Sequence, residues 1–189
     1  MKNITSKNSK RNSLKKILSS KSAGFTMIEL LIVMVILALL LVVGLGSFMS
    51  SQRKSRDSAR KTDIQNIARS LEFYYNDKGV YPIYTGKDGI LGQDWGEAFV
   101  DPDNVSTLYM NLLPMDPGGS TYYYTSSDGS QFQLYAILEN ENDGDVNKSG
   151  GSVQVYTGTD CGVESSITCN YGIASTNTDP ATGHALVVE

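Results

Sequence analysis

The sequence predicts an α+β fold in which one long N-terminal helix packs on a small antiparallel β-sheet. Three observations support this fold class. A run of apolar residues at positions 30–49 is long enough to span about 30 Å of hydrocarbon as a helix. A polar segment with apolar residues at helical spacing follows at residues 53–78. Residues 79–189 then contain short alternating segments separated by turn residues, which is typical of antiparallel strands.

The chain begins with a basic leader at residues 1–24. Seven of the 16 Lys and Arg residues lie among the first 23 positions, which contain no acid. The other nine oppose all 20 Asp and Glu residues, so the side chains after the leader carry a net charge of −11. This acidity argues against a nucleic-acid groove, because phosphate binding needs clustered Lys and Arg. The leader is expected to stay in the cytoplasm, which places Arg53 and everything after it outside.

Residues 25–52 are predicted to form a membrane-spanning helix, since no charged residue lies between Glu29 and Arg53. A cleaved secretory signal, a simple signal anchor and a buried core helix are the competing interpretations. The length of the run argues against a core helix, and Glu29 argues against an ordinary signal peptide. An ionised acid near the membrane centre costs on the order of 3 kcal/mol, so Glu29 is expected to have a partner. Gly44 and Gly46 either allow close helix packing or mark a point of unwinding.

Residues 24–33 resemble the processing signature of type IV prepilins and the related pseudopilins. The match combines the basic leader, Gly24, Phe25, Glu29 and the apolar run behind them. The resemblance implies that a membrane peptidase cuts after Gly24 and N-methylates Phe25. The new amine at Phe25 is expected to neutralise Glu29 of a neighbouring copy, which selects one register because an unpaired buried charge is costly. A bundle of such helices then replaces lipid as the apolar environment.

Residues 53–78 are predicted to continue the helix as an amphipathic segment that ends at Lys78 and Gly79. Its apolar face repeats at helical spacing and consists of Ile64, Ile67, Ala68, Leu71, Tyr74 and Tyr75. Five basic residues between Arg53 and Lys61 lie just outside the membrane. They are expected either to form solvated helix surface or to meet lipid head groups.

Residues 79–189 are predicted to form a globular region with a three-stranded antiparallel sheet. The strands are placed at 121–125, 131–138 and 152–157, and the first two flank a hairpin turn. The connection before them contains at most a short helix at 106–113. This layout also resembles the pilin and pseudopilin family, so the resemblance implies a pilin fold with the sheet on the outer half of the helix.

An acidic, oxygen-rich turn follows the second predicted strand, with candidate calcium ligands at Glu139, Glu141, Asp143, Asp145 and Asn147. Calcium prefers oxygen ligands, and the last three of these residues occupy alternate positions. The turn lacks the sharp-turn glycine and the terminal glutamate of an EF-hand loop. Major pseudopilins that resemble this chain bind calcium in the corresponding loop. Two interpretations therefore stay open, a calcium site and a solvated acidic turn.

Cys161 and Cys169 are expected to form a disulfide rather than two free thiols, because the domain is exported to an oxidising compartment. Similarity to pilins implies that the pair staples a C-terminal surface loop. The sequence contains no recognisable catalytic set, since His184 is the only histidine and is expected to be a surface residue. We therefore expect no enzyme activity and no cofactor other than the calcium considered above.

The resemblance implies a structural subunit of a type IV pilus that serves adhesion, motility or DNA uptake. A pseudopilin of a type II secretion or competence system is the alternative, and a membrane-anchored binding protein that never polymerises is a third. The expected partners of a filament subunit are identical or related pilin subunits, a prepilin peptidase, an assembly platform and the membrane, without a specific nucleic acid. The expected location is a single-pass anchor in the inner membrane with the C-terminal domain outside, followed by an extracellular pilus or a periplasmic pseudopilus.

Overall fold

The computed structural model describes residues 24–189, so the predicted leader lies outside the described residues apart from Gly24. The described chain contains one α-helix, α1 (Met27–Lys78), and nine short strands. It divides into two units, with the boundary between Ser47 and Phe48. In the first unit, α1 is the structural element. In the second unit, the remainder of α1 packs against the strands.

The C-terminus of α1 has the glycine stop that the sequence predicts. Gly79 follows the last helical residue with φ 75°, and its N–H donates to the carbonyl of Tyr75 at 2.7 Å. Glycine adopts this left-handed conformation without steric cost, which closes the final turn of the helix. Lys78 in the last turn also binds the connecting loop, with its Nζ 2.8 Å from Asp101 and 3.0 Å from Asp103.

The strands form three antiparallel sheets in the second unit. The largest sheet has four strands in the order β1 (Tyr84–Gly86), β4 (Tyr123–Ser126), β5 (Gln133–Ala136) and β8 (Tyr171–Ala174). A two-stranded sheet contains β2 (Phe99–Val100) and β3 (Leu108–Met110). A three-stranded sheet contains β6 (Lys148–Ser149), β7 (Ser152–Tyr156) and β9 (Leu186–Val188).

The main core of the second unit joins α1 to the four-stranded sheet. Ile64, Ile67 and Leu71 are fully buried in one cluster that also contains Tyr124 of β4 and Leu134 of β5. Each buried aliphatic side chain contributes about 1.5–3 kcal/mol relative to exposure. The predicted α+β fold is confirmed, and the predicted apolar face of the helix lies in the core except for Tyr75, which is 39% exposed.

The predicted hairpin is confirmed, but the predicted third strand lies in a different sheet. Strand β7 pairs with β6 and β9, whereas the free edge of β5 is taken by β8. In that pairing Tyr135 lies opposite Gly172. A Cβ added at Gly172 would lie 2.6 Å from a ring carbon of Tyr135, so the missing side chain is what lets β8 approach.

The segment predicted as at most a short helix at 106–113 contains strand β3 instead. The chain reverses between Asp101 and Thr107, where the Asp101 N–H donates to the Thr107 carbonyl at 3.0 Å. This reversal brings Leu108–Met110 beside Phe99–Val100. Pairing with a neighbouring strand therefore overrides the local helical preference of the segment.

Candidate functional site

The candidate assembly segment comprises residues 24–29, at the start of α1. Gly24 and Phe25 precede the helix and are exposed, Phe25 to 86%. A Cβ added at Gly24 would meet no atom of the described residues within 4 Å. The described fold therefore does not itself require glycine at this position, and a requirement for a small residue would come from a second molecule.

Thr26 and Glu29 form a reciprocal cap on the first turn of α1. The Glu29 N–H donates to Thr26 Oγ1 at 3.2 Å. In return, Glu29 Oε2 accepts from the Thr26 N–H and from its hydroxyl, both at 3.4 Å. This is a capping box, in which the first and the last side chain of a T-x-x-E motif each accept a hydrogen bond from the other residue's backbone N–H group. The sequence carries a local signal for this cap, a threonine followed three residues later by a glutamate.

Glu29 thus has an intrachain partner that is not a cation. Within the described residues it makes hydrogen bonds with Thr26 and no ion pair. A negative side chain is stabilised at a helix N-terminus by the orphan N–H groups and the helix dipole. The pairing of Glu29 with the amine of Phe25 in a neighbouring copy stays a prediction.

The first unit presents an apolar surface to its surroundings. Its large apolar side chains between Phe25 and Val42 are 49–93% exposed in the isolated chain. Among the described residues, α1 is the one helix that is long and apolar enough to cross a membrane. Exposure of such a large apolar surface to water is unfavourable, so it marks a face that contacts lipid or other protein.

A charged cluster in the second unit fastens α1 to the loops around the sheet. The guanidinium of Arg60 is at its centre, and the Arg60 side chain is only 1% exposed. Its Nη1 lies 2.7 Å from Asp57, its Nε 2.5 Å from Asp116 and its Nη2 2.9 Å from Glu139. Arg56 also pairs with Glu139 through two hydrogen bonds.

The acids of the charged cluster are satisfied by backbone as well as by arginine. Asp57 accepts the N–H groups of Glu139 at 2.9 Å and Asn140 at 2.8 Å. A buried charge is tolerated only with such partners, because the cost of its desolvation is several kcal/mol. Hydrogen bonds from Arg56 and Arg60 outweigh partial burial and lower the pKa of Glu139 to about 2.

The cluster corrects the interpretation of three of the five basic residues between Arg53 and Lys61 as solvated surface or lipid contacts, whereas Arg53 and Lys54 are exposed. Arg56, Arg60 and Lys61 bind acids within the second unit instead. The sequence does carry one signal of this arrangement. Asp57 and Arg60 are three residues apart, which places them on the same side of a helix.

The five residues predicted as calcium ligands do not all converge on one point. Glu139 belongs to the charged cluster, whereas the Asn147 amide donates to the Tyr156 hydroxyl at 3.2 Å. Glu141 is exposed. Within residues 24–189, no group of three or more His, Cys, Asp or Glu side chains is arranged to hold a metal ion. The side chains as arranged do not fit a calcium site.

The remaining two candidate ligands share one cation, the ammonium of Lys61. Its Nζ lies 2.5 Å from Asp143 Oδ1 and 2.6 Å from Asp145 Oδ2. The ring of Tyr171 stands 5.8 Å from the same nitrogen, within the range of a cation–π interaction. The hydrogen bond from Lys61 lowers the pKa of Asp143 below its usual range. The acidic turn is therefore attached to α1.

The predicted disulfide between Cys161 and Cys169 is present in the structure. Both cysteines are fully buried. Lys87 holds the start of the bridged loop, with its Nζ 2.8 Å from the carboxylate of Asp160. Of the residues between the cysteines, 163–167 are exposed, so the bridge presents a loop on the surface that is fixed at both ends.

His184 is half-buried rather than the surface residue that the sequence predicts. Its Nδ1 lies 2.7 Å from the carbonyl oxygen of Thr157, and its ring meets Tyr135 edge-on at 5.3 Å. A carbonyl oxygen only accepts, so Nδ1 carries the proton in this contact. These contacts pack the C-terminal residues against the sheet and include no nucleophile.

Two protein-family models match the chain. The model described as the prokaryotic N-terminal methylation motif matches residues 19–45. The model described as type II secretion system protein G matches residues 47–156, which is more than half of the chain. That match ends with β7, so the disulfide and strands β8 and β9 lie beyond it.

Curated relatives agree with the second model. The type II secretion system core protein G of Pseudomonas aeruginosa is 31% identical over 135 residues, covering 70% of this chain and 89% of the relative. The core protein G of Vibrio cholerae is 31% identical over 107 residues, covering 56% of this chain and 72% of the relative. The type IV major pilin protein PilA of Myxococcus xanthus is 28% identical over 69 residues, covering 36% of this chain and 31% of the relative. No solved structure matches the chain.

Proposed function

The chain belongs to the type II secretion system protein G family, and we propose that it is a pseudopilin that polymerises through α1 into a periplasmic filament for secretion. The pseudopilin, which the sequence offers as the alternative, is preferred to the pilus subunit. Relatives named as secretion protein G match 56–70% of this chain, whereas the pilin match covers 36%. The family is one of structural subunits, and we propose no enzyme activity.

One observation carries the proposal, which is the exposed apolar surface that begins directly behind a capped carboxylate. In the inner membrane, lipid covers this part of α1. When the subunit leaves the bilayer, the same surface needs a new apolar environment, and equivalent helices of other subunits supply it. Burial therefore favours polymerisation, while the charge of Glu29 selects how neighbouring helices are placed.

The capping box allows Glu29 to pair with a neighbouring subunit while it still caps its own helix. An ionised carboxylate has about four lone-pair sites on two oxygens. The Thr26 groups use one oxygen, Oε2, at 3.4 Å, which is long for a hydrogen bond. An ammonium from Phe25 of a neighbour can therefore bind the other oxygen while the cap stays in place. The cap orients the carboxylate at the helix start before assembly.

Processing is the first step to test. In cells that contain a prepilin peptidase, we expect the mature chain to begin with an N-methylated Phe25, which the mass of its N-terminal peptide shows. Gly24→Val is expected to leave the fold intact, because the described fold leaves room for a side chain there. The same variant is expected to block cleavage, because the peptidase is proposed to cut directly after Gly24. Gly144→Val is the matched control, since its Cβ also meets nothing within 4 Å. Normal cleavage of Gly24→Val would contradict the proposed recognition.

Deleting the gene separates the secretion role from its alternatives. A pseudopilin predicts that extracellular enzymes accumulate in the periplasm of the deletion strain, while surface filaments remain. The wild-type gene restores secretion, and a gene encoding Glu29→Ala does not. Long surface filaments that contain this chain, together with normal secretion in the deletion strain, would instead identify a pilus subunit. Full activity of Glu29→Ala would favour an anchored protein that does not polymerise.

A further inference from the structure

We propose that the acidic turn of residues 139–147 uses the ammonium of Lys61 in place of a divalent cation. The turn has the composition of a calcium-binding loop, yet its carboxylates do not converge on an empty point. Two of them converge on a side chain of α1. This inference concerns the fold of the second unit and does not depend on the proposed function.

The ammonium of Lys61 binds both aspartates of the turn. Its Nζ is 2.5 Å from an oxygen of Asp143 and 2.6 Å from an oxygen of Asp145. The ammonium therefore lies between these two carboxylates. A calcium ion added beside it would be repelled by a like charge.

The backbone of the turn is folded around the same carboxylate. Asp143 Oδ1 also accepts the N–H of Asp145 at 3.0 Å, and the Asp143 N–H donates to the Asn140 carbonyl at 2.9 Å. Val146 then enters the interior, with 5% of its surface exposed. An internal cation with these bonds gives the turn a fixed shape without an external ion.

Three of the four carboxylates of the turn are paired with basic residues of one helix. Arg56 and Arg60 bind Glu139, and Lys61 binds the two aspartates, so three neighbouring basic residues of α1 face three carboxylates of the turn. Asp143 is the stronger partner of Lys61, because its side chain is 22% exposed and that of Asp145 is 59% exposed. Glu141, which is exposed, is the one carboxylate of the turn that these three residues do not bind.

The test measures thermal unfolding of the full mature chain in detergent micelles, in EDTA and in about 5 mM calcium chloride, a level that fills even weak extracellular sites. The wild-type Tm is expected to be the same in both. Lys61→Gln is expected to unfold several degrees lower in EDTA and to regain part of that loss in calcium, because its two carboxylates are then free. Lys61→Arg keeps a cation and is the matched control, expected to be insensitive to calcium.

Three outcomes of the unfolding experiment would overturn the proposal. Calcium could raise the wild-type Tm by more than about 2 °C, the effect that ligand binding to the native state produces. Lys61→Gln could be as stable as the wild type in EDTA, or it could fail to respond to calcium. Equilibrium dialysis of the wild-type chain against radioactive calcium needs no variant. One ion bound per chain in that experiment, abolished by Asp143→Asn, would also refute the role of Lys61.

Discussion

At the residue scale, Glu29 combines two interactions with different chemical needs. The cap needs an oxygen that accepts hydrogen bonds from Thr26, which a neutral amide also supplies. The proposed pairing with a neighbour's amine needs a negative charge. Substitutions that keep one property and remove the other therefore distinguish the two roles, which a change to alanine cannot do.

Glu29→Gln is expected to keep the helix start and to lose filament assembly, because the amide caps but carries no charge. Thr26→Ala keeps the charge and weakens the cap by about 0.5–2 kcal/mol, so it is expected to assemble less well but measurably. Sedimentation of filaments from processed chains measures assembly, and the mass of the Phe25 peptide confirms that processing is unchanged. Assembly of Glu29→Gln at the wild-type level would show that the charge is dispensable.

Glu139 is a second residue whose charge has a measurable consequence. Its pKa is about 2 in the folded chain and lies near the ordinary value of 4.5 when unfolded. Because the folded pKa is the lower one, the ion pairs with Arg56 and Arg60 stabilise the fold fully above about pH 5. This stabilisation is lost as the pH falls towards 2.

Glu139→Gln is therefore expected to lower the free energy of unfolding by about 1–3 kcal/mol at pH 7, and by less at pH 3. Urea unfolding of the second unit within the full chain, followed at pH 7, 5 and about 3, gives the difference between wild type and variant. Glu141→Gln is the control, since Glu141 lies in the same turn and is exposed. A difference that grows on acidification would contradict the assigned pKa.

At the scale of elements, structure that repeats along the sequence could be predicted and structure that depends on distant pairing could not. The buried face of α1 repeats every three or four residues, and the hairpin of β4 and β5 is marked by its own turn, so both could be predicted from the sequence. The capping box was also readable as a local motif. The partner of β5 was not, because Gly172 gives β8 no alternating pattern.

The same limit applies to the candidate site. Gly24, Phe25 and Glu29 follow one another closely in sequence, so the role proposed for them could be predicted from a motif. The acidic turn was visible as a composition, but its neutralisation by Lys61 depends on how the turn packs on α1. A calcium site and a salt-bridged turn share the same acidic residues, and only the position of the cation distinguishes them.

Gly172→Ala is expected to destabilise the four-stranded sheet by about 1–3 kcal/mol through overpacking. The new Cβ would lie 2.6 and 2.9 Å from ring carbons of Tyr135 and 3.1 Å from Pro180. Tyr135 cannot move away easily, because it is fully buried and its hydroxyl donates to the Pro180 carbonyl at 2.5 Å. Thermal unfolding measures the loss. Gly144→Ala is the control, and an equal Tm for both variants would refute the close approach of β8.

At the scale of the whole molecule, charge and apolar surface are divided between the two units. Residues 25–47 contain one charged side chain, Glu29. The second unit contains nine basic and nineteen acidic residues, which gives it a net side-chain charge of −10. In a filament, apolar helices attract one another while equally charged domains repel. The balance between these effects depends on salt, because salt screens the repulsion and leaves hydrophobic burial in place.

We therefore expect assembly of the mature chain to increase with ionic strength. The screening length falls from about 30 Å at 0.01 M salt to about 3 Å at 1 M, so repulsion between neighbouring domains is largely removed over that range. The fraction that sediments as filaments is measured against sodium chloride at constant pH. Neutralising the exposed acids Glu141 and Glu164 to glutamine lowers the charge and should move the transition to lower salt. A sedimented fraction that falls with salt would mean that ion pairs between subunits outweigh the repulsion, since such pairs weaken when screened.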